Sequence, residues 1–324
     1  MKKLICLLLT LLILTGCGSD SYQEHIFYDY FDTVITIRSY ANDSTDDFNN
    51  NISKIDNILY RWNSELDVYE DHEYEGLYKL NENAGISPIK VSTELMEFLK
   101  YSKEIYTLTN GKTNVMAGAL IKLWKEAIAN NGPLPDEELI KESLNHISID
   151  SLVLDEENST AYISDPNASI DAGAIGKGYV SKIIVEELGD SNKGYSLGLG
   201  GNITVVGTKA SGAEWSVGIK DPFSDTNEPI TTFELSDGCS VTSGNYERYF
   251  DYDGQRYHHI IDPDTGYPDM RYASITIKCK DPALADSFTT ALFSMSVEEG
   301  KELTRDLDFE ITWITVDGEI VNYN

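Results

Sequence analysis

The chain has 324 residues, of which 41% are hydrophobic and 24% charged. That is enough apolar material for a packed body, and it excludes a disordered protein. Acidic residues outnumber basic ones 54 to 25, a formal charge of −29. Such a charge argues against nucleic acid as a partner and against a polybasic grip on anionic lipid, and four cysteines are too few for a disulfide scaffold.

Along the chain, Lys2 and Lys3 precede an uncharged apolar run over residues 4–14. A bilayer-crossing helix needs about 20 apolar residues, so this run suits the core of a secretory signal. It ends Leu14-Thr15-Gly16-Cys17, which resembles the lipobox of bacterial lipoproteins. The expected organisation is a signal peptide over 1–16, a lipid-anchored tether over 17–26 and one domain over 27–324. Cutting before Cys17 takes the charge to −31 and leaves Cys239 and Cys279 as the unmodified thiols. The expected location is the cell membrane, anchored at Cys17 and facing outside the cytoplasm.

Residues 31–40 (FDTVITIRSY) read as a strand. Residues 46–61 carry Ile52, Ile55, Ile58 and Leu59 at helical spacing. A second helix is predicted over 93–109 with Ser92 as cap, followed by helices over 119–130 and 136–144. From His146 onward short β-rich runs dominate, over 146–154, 195–199, 203–208, 215–220, 231–235, 256–261 and 273–279. Asp253-Gly254 and Asp317-Gly318 mark hairpin turns. Helices over 177–188 and 282–295 interrupt this half. Strands in runs, without strict alternation, predict an α+β fold: a helical N-terminal half packed on a mixed, largely antiparallel sheet with two inserted helices.

Four stretches could carry chemistry. Asp171-Ala-Gly-Ala-Ile-Gly-Lys177-Gly178 leads glycines into a helix start, where backbone N–H groups and the Lys177 charge suit an anion; alternatively it is a tight turn packing a helix on a strand. Gly198-Leu-Gly-Gly-Asn202 lacks the third glycine of a dinucleotide fingerprint and reads as a bulge or close crossing. Asp286 and Thr290, four apart, share a helix face. They are either a solvated polar face or an oxygen-ligand pair for a hard cation. In Tyr257-His-His-Ile-Ile-Asp262-Pro-Asp-Thr-Gly266, alternation along a strand lets only one histidine point into any one site. Thr242-Ser-Gly-Asn-Tyr-Glu-Arg248 by itself reads as a turn.

In order, the segments FDTVITI, SELDVY…LYKLN, DAGAIGKGYV, GLGGN, TSGNYERYF, HIIDPDTGYP and ADSFTTALFSM resemble the FAD:protein FMN transferases, the ApbE-like family, over residues 31–295. The resemblance implies binding of FAD and Mg²⁺, and transfer of FMN to a Ser or Thr of an acceptor protein with release of AMP. It implies metal ligation by Asp286 and Thr290, with Ala174 and Thr289 contributing backbone oxygens. Nucleotide contacts are implied for Asp171, Lys177 and Ile260. Phe31 and Trp62 fall where the family often has Met and Tyr against the flavin. The family's frequent Gly-x-Phe-Asp-Pro is replaced by Gly111-Lys112-Thr113-Asn114-Val115, so the contacts of Lys112, Thr113 and Asn114 depart from the pattern. His259 is the candidate base for the acceptor hydroxyl, with Asp262 as alternative or as the group orienting it. Two other readings share these residues: a FAD pyrophosphatase giving FMN and AMP, and a lipid-anchored flavin-binding protein. The family's acceptor signature is absent from the chain, so the acceptor is expected to be another protein.

Overall fold

The computed structural model describes residues 22–324 except 190–193, 225 and 227. The expected signal run, Cys17 and residues 18–21 of the expected tether lie outside the described residues.

The chain opens with β1 (Gln23–Phe27), β2 (Ile35–Ser39), α1 (Thr45–Leu66), α2 (Leu77–Glu82), β3 (Ile89–Lys90), α3 (Thr93–Leu108), α4 (Gly118–Asn130) and α5 (Glu137–Leu144). It continues through β4 (Leu152–Asp155), β5 (Thr160–Ile163), α6 (Gly176–Leu188), β6 (Tyr195–Leu199), β7 (Asn202–Val206), β8 (Trp215–Lys220) and β9 (Pro229–Leu235). The remainder is β10 (Gly238–Gly244), β11 (Tyr249–Tyr252), β12 (Gln255–His258), β13 (Tyr272–Cys279), α7 (Pro282–Phe293), α8 (Val297–Thr304), β14 (Glu310–Thr315) and β15 (Ile320–Tyr323). The expected α+β class holds. An eight-stranded sheet runs β1-β2-β6-β7-β10-β13-β14-β15, every neighbour antiparallel.

Local chemistry explains the element ends. Ser92 caps α3 by accepting the Leu95 N–H at 2.9 Å, and Asp281 caps α7 by accepting those of Ala283 and Leu284, with Pro282 at the first helical position. Asp253 and Gly254, both at positive φ, turn the β11–β12 hairpin, as the Asp-Gly pair predicts.

Several expectations shift. Residues 23–26, placed in the tether by sequence, form with Phe27 the edge strand β1. The stretch from Thr242, expected as a turn, begins as the last three residues of β10, because Thr242, Ser243 and Gly244 pair with Thr276, Ile275 and Ser274 of β13. β10 is short of apolar residues because it lies in mid-sheet beneath α7, where small side chains let the helix approach. Helix α7 is also buried on nearly every side. Phe288 and Leu292 pack into the core, each contributing roughly 1.5–3 kcal/mol, and the rest of the helix circumference, with Asp286, Ser287, Thr289 and Phe293, is buried too. The solvated-face alternative for Asp286 is therefore excluded: Gly178 of α6 packs directly on it.

Candidate active site

The site starts from one close helix crossing. A Cβ placed on Gly178 would lie 2.4 Å from both the Asp286 Cβ and the Pro282 carbonyl oxygen, so only glycine lets α6 approach α7 this closely. At the crossing the Asp286 carboxylate, 4% exposed, accepts the Gly178 N–H at 2.7 Å and the Asn202 side-chain amide at 3.0 Å. Asn202 follows the Gly200-Gly201 turn between β6 and β7. One carboxylate thus joins the first turn of α6, the β6–β7 turn and α7. Both donors are neutral, and no ion pair to Asp286 occurs among the described residues. A buried carboxylate without a cationic partner is costly.

Oxygen donors gather beside it. Thr290 Oγ1 lies 3.4 Å from the Ala174 carbonyl and 3.4 Å from that of Asp286. Thr289 Oγ1 donates to the Asp286 carbonyl and accepts from Ser243 Oγ of β10, at 2.9 Å each. A carboxylate, a hydroxyl and a carbonyl form a hard donor set. It fits Mg²⁺, which takes one or two protein carboxylates and leaves positions for phosphate and water. No cluster of three His, Cys, Asp or Glu suited to a metal occurs among the described residues.

Positive charge lies on the adjacent side. The Lys177 stem passes Gly200. His259 donates its backbone N–H to the Arg248 carbonyl at 3.0 Å, and its Nδ1 lies 3.3 Å from the same oxygen. A carbonyl only accepts, so this contact assigns the proton to Nδ1 and leaves the Nε2 lone pair available. Burial, and then the charges of His258, Arg248 and Lys177, push the His259 pKa down to about 3. Its neighbour His258 points the other way, as strand alternation predicts: its Nδ1 accepts the Ile260 N–H at 3.2 Å and its Nε2 faces the Asp269 carbonyl at 2.8 Å.

The remaining candidates divide. Phe31 borders the site: it sits at φ 54° in the turn leading to Thr33, whose side chain approaches Gly200, and its N–H donates to Asn63 Oδ1 at 2.8 Å. Asp171 is engaged within the chain, one oxygen accepting the Gly173 N–H at 2.8 Å and the other paired with Lys125 at 2.7 Å, so it shapes the glycine turn. Thr113 Oγ1 donates to the Ser287 carbonyl at 2.6 Å and packs its segment under α7, while Asn114 bonds the Ile147 carbonyl and the Met116 N–H. Lys112 pairs with Asp262 and Asp264, 2.8 Å each. With one Asp262 oxygen held by an ammonium, and no hydrogen bond to His259 among the described residues, Asp262 anchors its turn and does not orient the histidine. Trp62 is not brought to the site rim. Its indole, 3% exposed, packs against Phe98 and Tyr179 and borders a hollow of about 510 Å³ between α1, α3 and α6.

Sequence reasoning did not single out Lys125, Arg248 or the role of Asn202. The Asn follows two glycines at a strand start, a signal that gains meaning only when the distant Asp286 is placed beside it.

Fold and site together define a class: an α+β protein whose glycine-rich helix start and cationic rim surround a buried carboxylate that has no ion-pair partner among the described residues. The chain belongs to the ApbE family, whose pattern matches residues 31–313. It is 32% identical over 245 residues to a protein of Klebsiella pneumoniae named FAD:protein FMN transferase, covering 75% of each chain. A Vibrio cholerae protein of the same name is 29% identical over 306 residues, 93% of this chain and 90% of that one. The crystal structure of the ApbE protein of Thermotoga maritima superposes with a TM-score of 0.84 at 26% identity, covering 94% of this chain and 97% of that chain. The flavin transferase ApbE from Vibrio cholerae gives 0.76 at 26% identity with the same coverage.

Proposed function

We propose that this protein transfers the FMN moiety of FAD to a Ser or Thr hydroxyl of an acceptor protein and releases AMP. The observation that carries the reading is the Asp286 carboxylate, buried without a cation and bonded to both the α6 start and Asn202. FAD brings a pyrophosphate of about two negative charges. A protein at −29 repels it at range, but screening confines that repulsion to roughly 8 Å at physiological salt. Lys177, Arg248 and the α6 N-terminus reverse the sign locally.

Asp286, Thr290 and the Ala174 carbonyl would hold Mg²⁺, with Thr289 fixing the helix turn between them. A cation held there would supply neutralisation of pyrophosphate charge and polarisation of its phosphorus. The chain's own groups do the rest. Lys177 and the backbone of the glycine turn hold the phosphates, and positioning of this kind dominates phosphoryl transfer. His259 Nε2 accepts the proton of the attacking hydroxyl. With its pKa near 3, His259 is neutral in the free enzyme across the physiological range. Its protonation therefore removes activity only as pH falls toward about 3, and kcat/KM should show no inflection near 6.5 from this group. A His259→Gln variant with wild-type rates across that range would discard the base role.

Incubation with FAD and Mg²⁺, with and without an acceptor carrying the family's Ser/Thr motif, tests the function. The expected result is FMN covalently on the acceptor and AMP in equal amount. Free FMN and AMP regardless of acceptor would make the protein a pyrophosphatase, and intact FAD a binding protein.

The lipobox-like ending at Cys17 supports a membrane-anchored protein facing outside the cytoplasm. Cys17→Ser should move it from the membrane to the soluble fraction; continued sedimentation with membranes would refute the anchor.

A further inference from the structure

Away from the site, two thiols face each other across the main sheet. Cys239 of β10 and Cys279 of β13 are directly opposed partners in the antiparallel register, with Sγ atoms 3.8 Å apart. Opposed residues of an antiparallel pair have Cα atoms about 4.5–5.5 Å apart, inside the roughly 4.4–6.8 Å that a disulfide bridges. Their side chains leave the sheet on the same face, so closing to an S–S bond of about 2.05 Å needs side-chain rotation and no strand movement. The approach of the two strands is fixed by Gly238, at φ 137°, where a Cβ would meet the Cys279 carbonyl oxygen at 2.5 Å. Cys239 is buried and Cys279 half-buried, so a reagent in solvent reaches Cys279 first. Cys279 Sγ also lies 3.3 Å from the carbonyl of Asp281, the cap of α7, which puts the pair at the foot of the helix that carries Asp286 and Thr290.

We propose that Cys239 and Cys279 are a disulfide-forming dithiol, oxidised by exchange with a disulfide donor. The Cys279 thiolate attacks one sulfur of the donor, expels the other half as a thiol and leaves a mixed disulfide. Cys239 then loses its proton, attacks Cys279 Sγ and expels the second donor thiol. Two thiols and one donor disulfide become one protein disulfide and two donor thiols, so two electrons and two protons pass to the donor. The contact with Cys279 and burial hold the Cys239 thiol far above its usual range.

The test exposes the full-length folded protein to oxidised glutathione, alkylates it under denaturing conditions and maps the peptides by mass. The expected product is a peptide pair joining Cys239 and Cys279, two hydrogens lighter than its reduced parts and separated by reductant. A Cys239→Ser variant should instead retain one glutathione on Cys279. Two results would overturn the proposal. One is both thiols remaining alkylatable at a donor concentration that oxidises the unfolded chain. The other is wild-type protein accumulating glutathione on Cys279 without closing the ring. Because the readout is the mass of the linked peptides, it stands or falls independently of FMN transfer.

Discussion

Asp286→Asn should lower FMN transfer by roughly two to three orders of magnitude, since loss of about 3–4 kcal/mol of charge stabilisation at a phosphoryl centre corresponds to that factor. The substitution keeps the side-chain shape but removes the only carboxylate in the donor set around Thr290 and Ala174. It also turns one acceptor into an amide that faces the Gly178 N–H or the Asn202 amide. Residual activity should need a much higher Mg²⁺ concentration for half-saturation. Steady-state transfer over a Mg²⁺ titration checks this, with a thermal melt showing that the variant is folded. An unchanged Mg²⁺ dependence would remove Asp286 from the metal site. Stability should fall little, because a buried carboxylate without a cationic partner is itself unfavourable.

Gly178→Ala tests the architecture beneath the chemistry, and the expected loss covers stability and transfer together. The added methyl would stand 2.4 Å from the Asp286 Cβ and from the Pro282 carbonyl. These are atoms of the helix framework and cannot swing aside. Overpacking of this kind costs about 1–3 kcal/mol, and its relief requires α6 and α7 to separate. That separation stretches the Gly178-to-Asp286 hydrogen bond and moves Asp286 away from Ala174 and Lys177. Transfer should therefore fall at least tenfold even at temperatures where the variant is folded. Gly198→Ala is the matched control, since its methyl would meet nothing nearer than 3.5 Å. Equal melting temperatures for wild type and Gly178→Ala would show that the crossing is looser than drawn.

The hollow beside Trp62 shows where sequence position and site position part company. Trp62 lies close in sequence to Asn63, which does reach the site turn through the Phe31 N–H. On a helix, however, adjacent residues are about 100° apart, so Asn63 faces the rim while Trp62 faces Phe98 and Tyr179. The family resemblance identified the segment, and helical geometry decided which of its side chains arrives. Asp171 is a similar case. Its glycine turn was legible, but the ion pair with Lys125, 46 residues away, uses the carboxylate that the resemblance assigned to the nucleotide.

The sequence by itself determined whatever rests on local spacing. This includes the start of α3 from its Ser92 cap, the Asp-Gly hairpins, the α+β class and the i,i+4 relation of Asp286 and Thr290. It also isolated the glycine turn as a helix start fit for an anion. Tertiary structure decided what depends on contacts between segments far apart in the chain. β10 carries too few apolar residues to announce itself as a strand, and it exists because β7 and β13 supply its hydrogen-bond partners on either side. Likewise the sequence left Asp286 open between a solvated face and a ligand pair, and it is buried in fact, because a face of a helix is solvated or buried according to what covers it. Here the cover is α6, brought within contact by the missing side chain of Gly178.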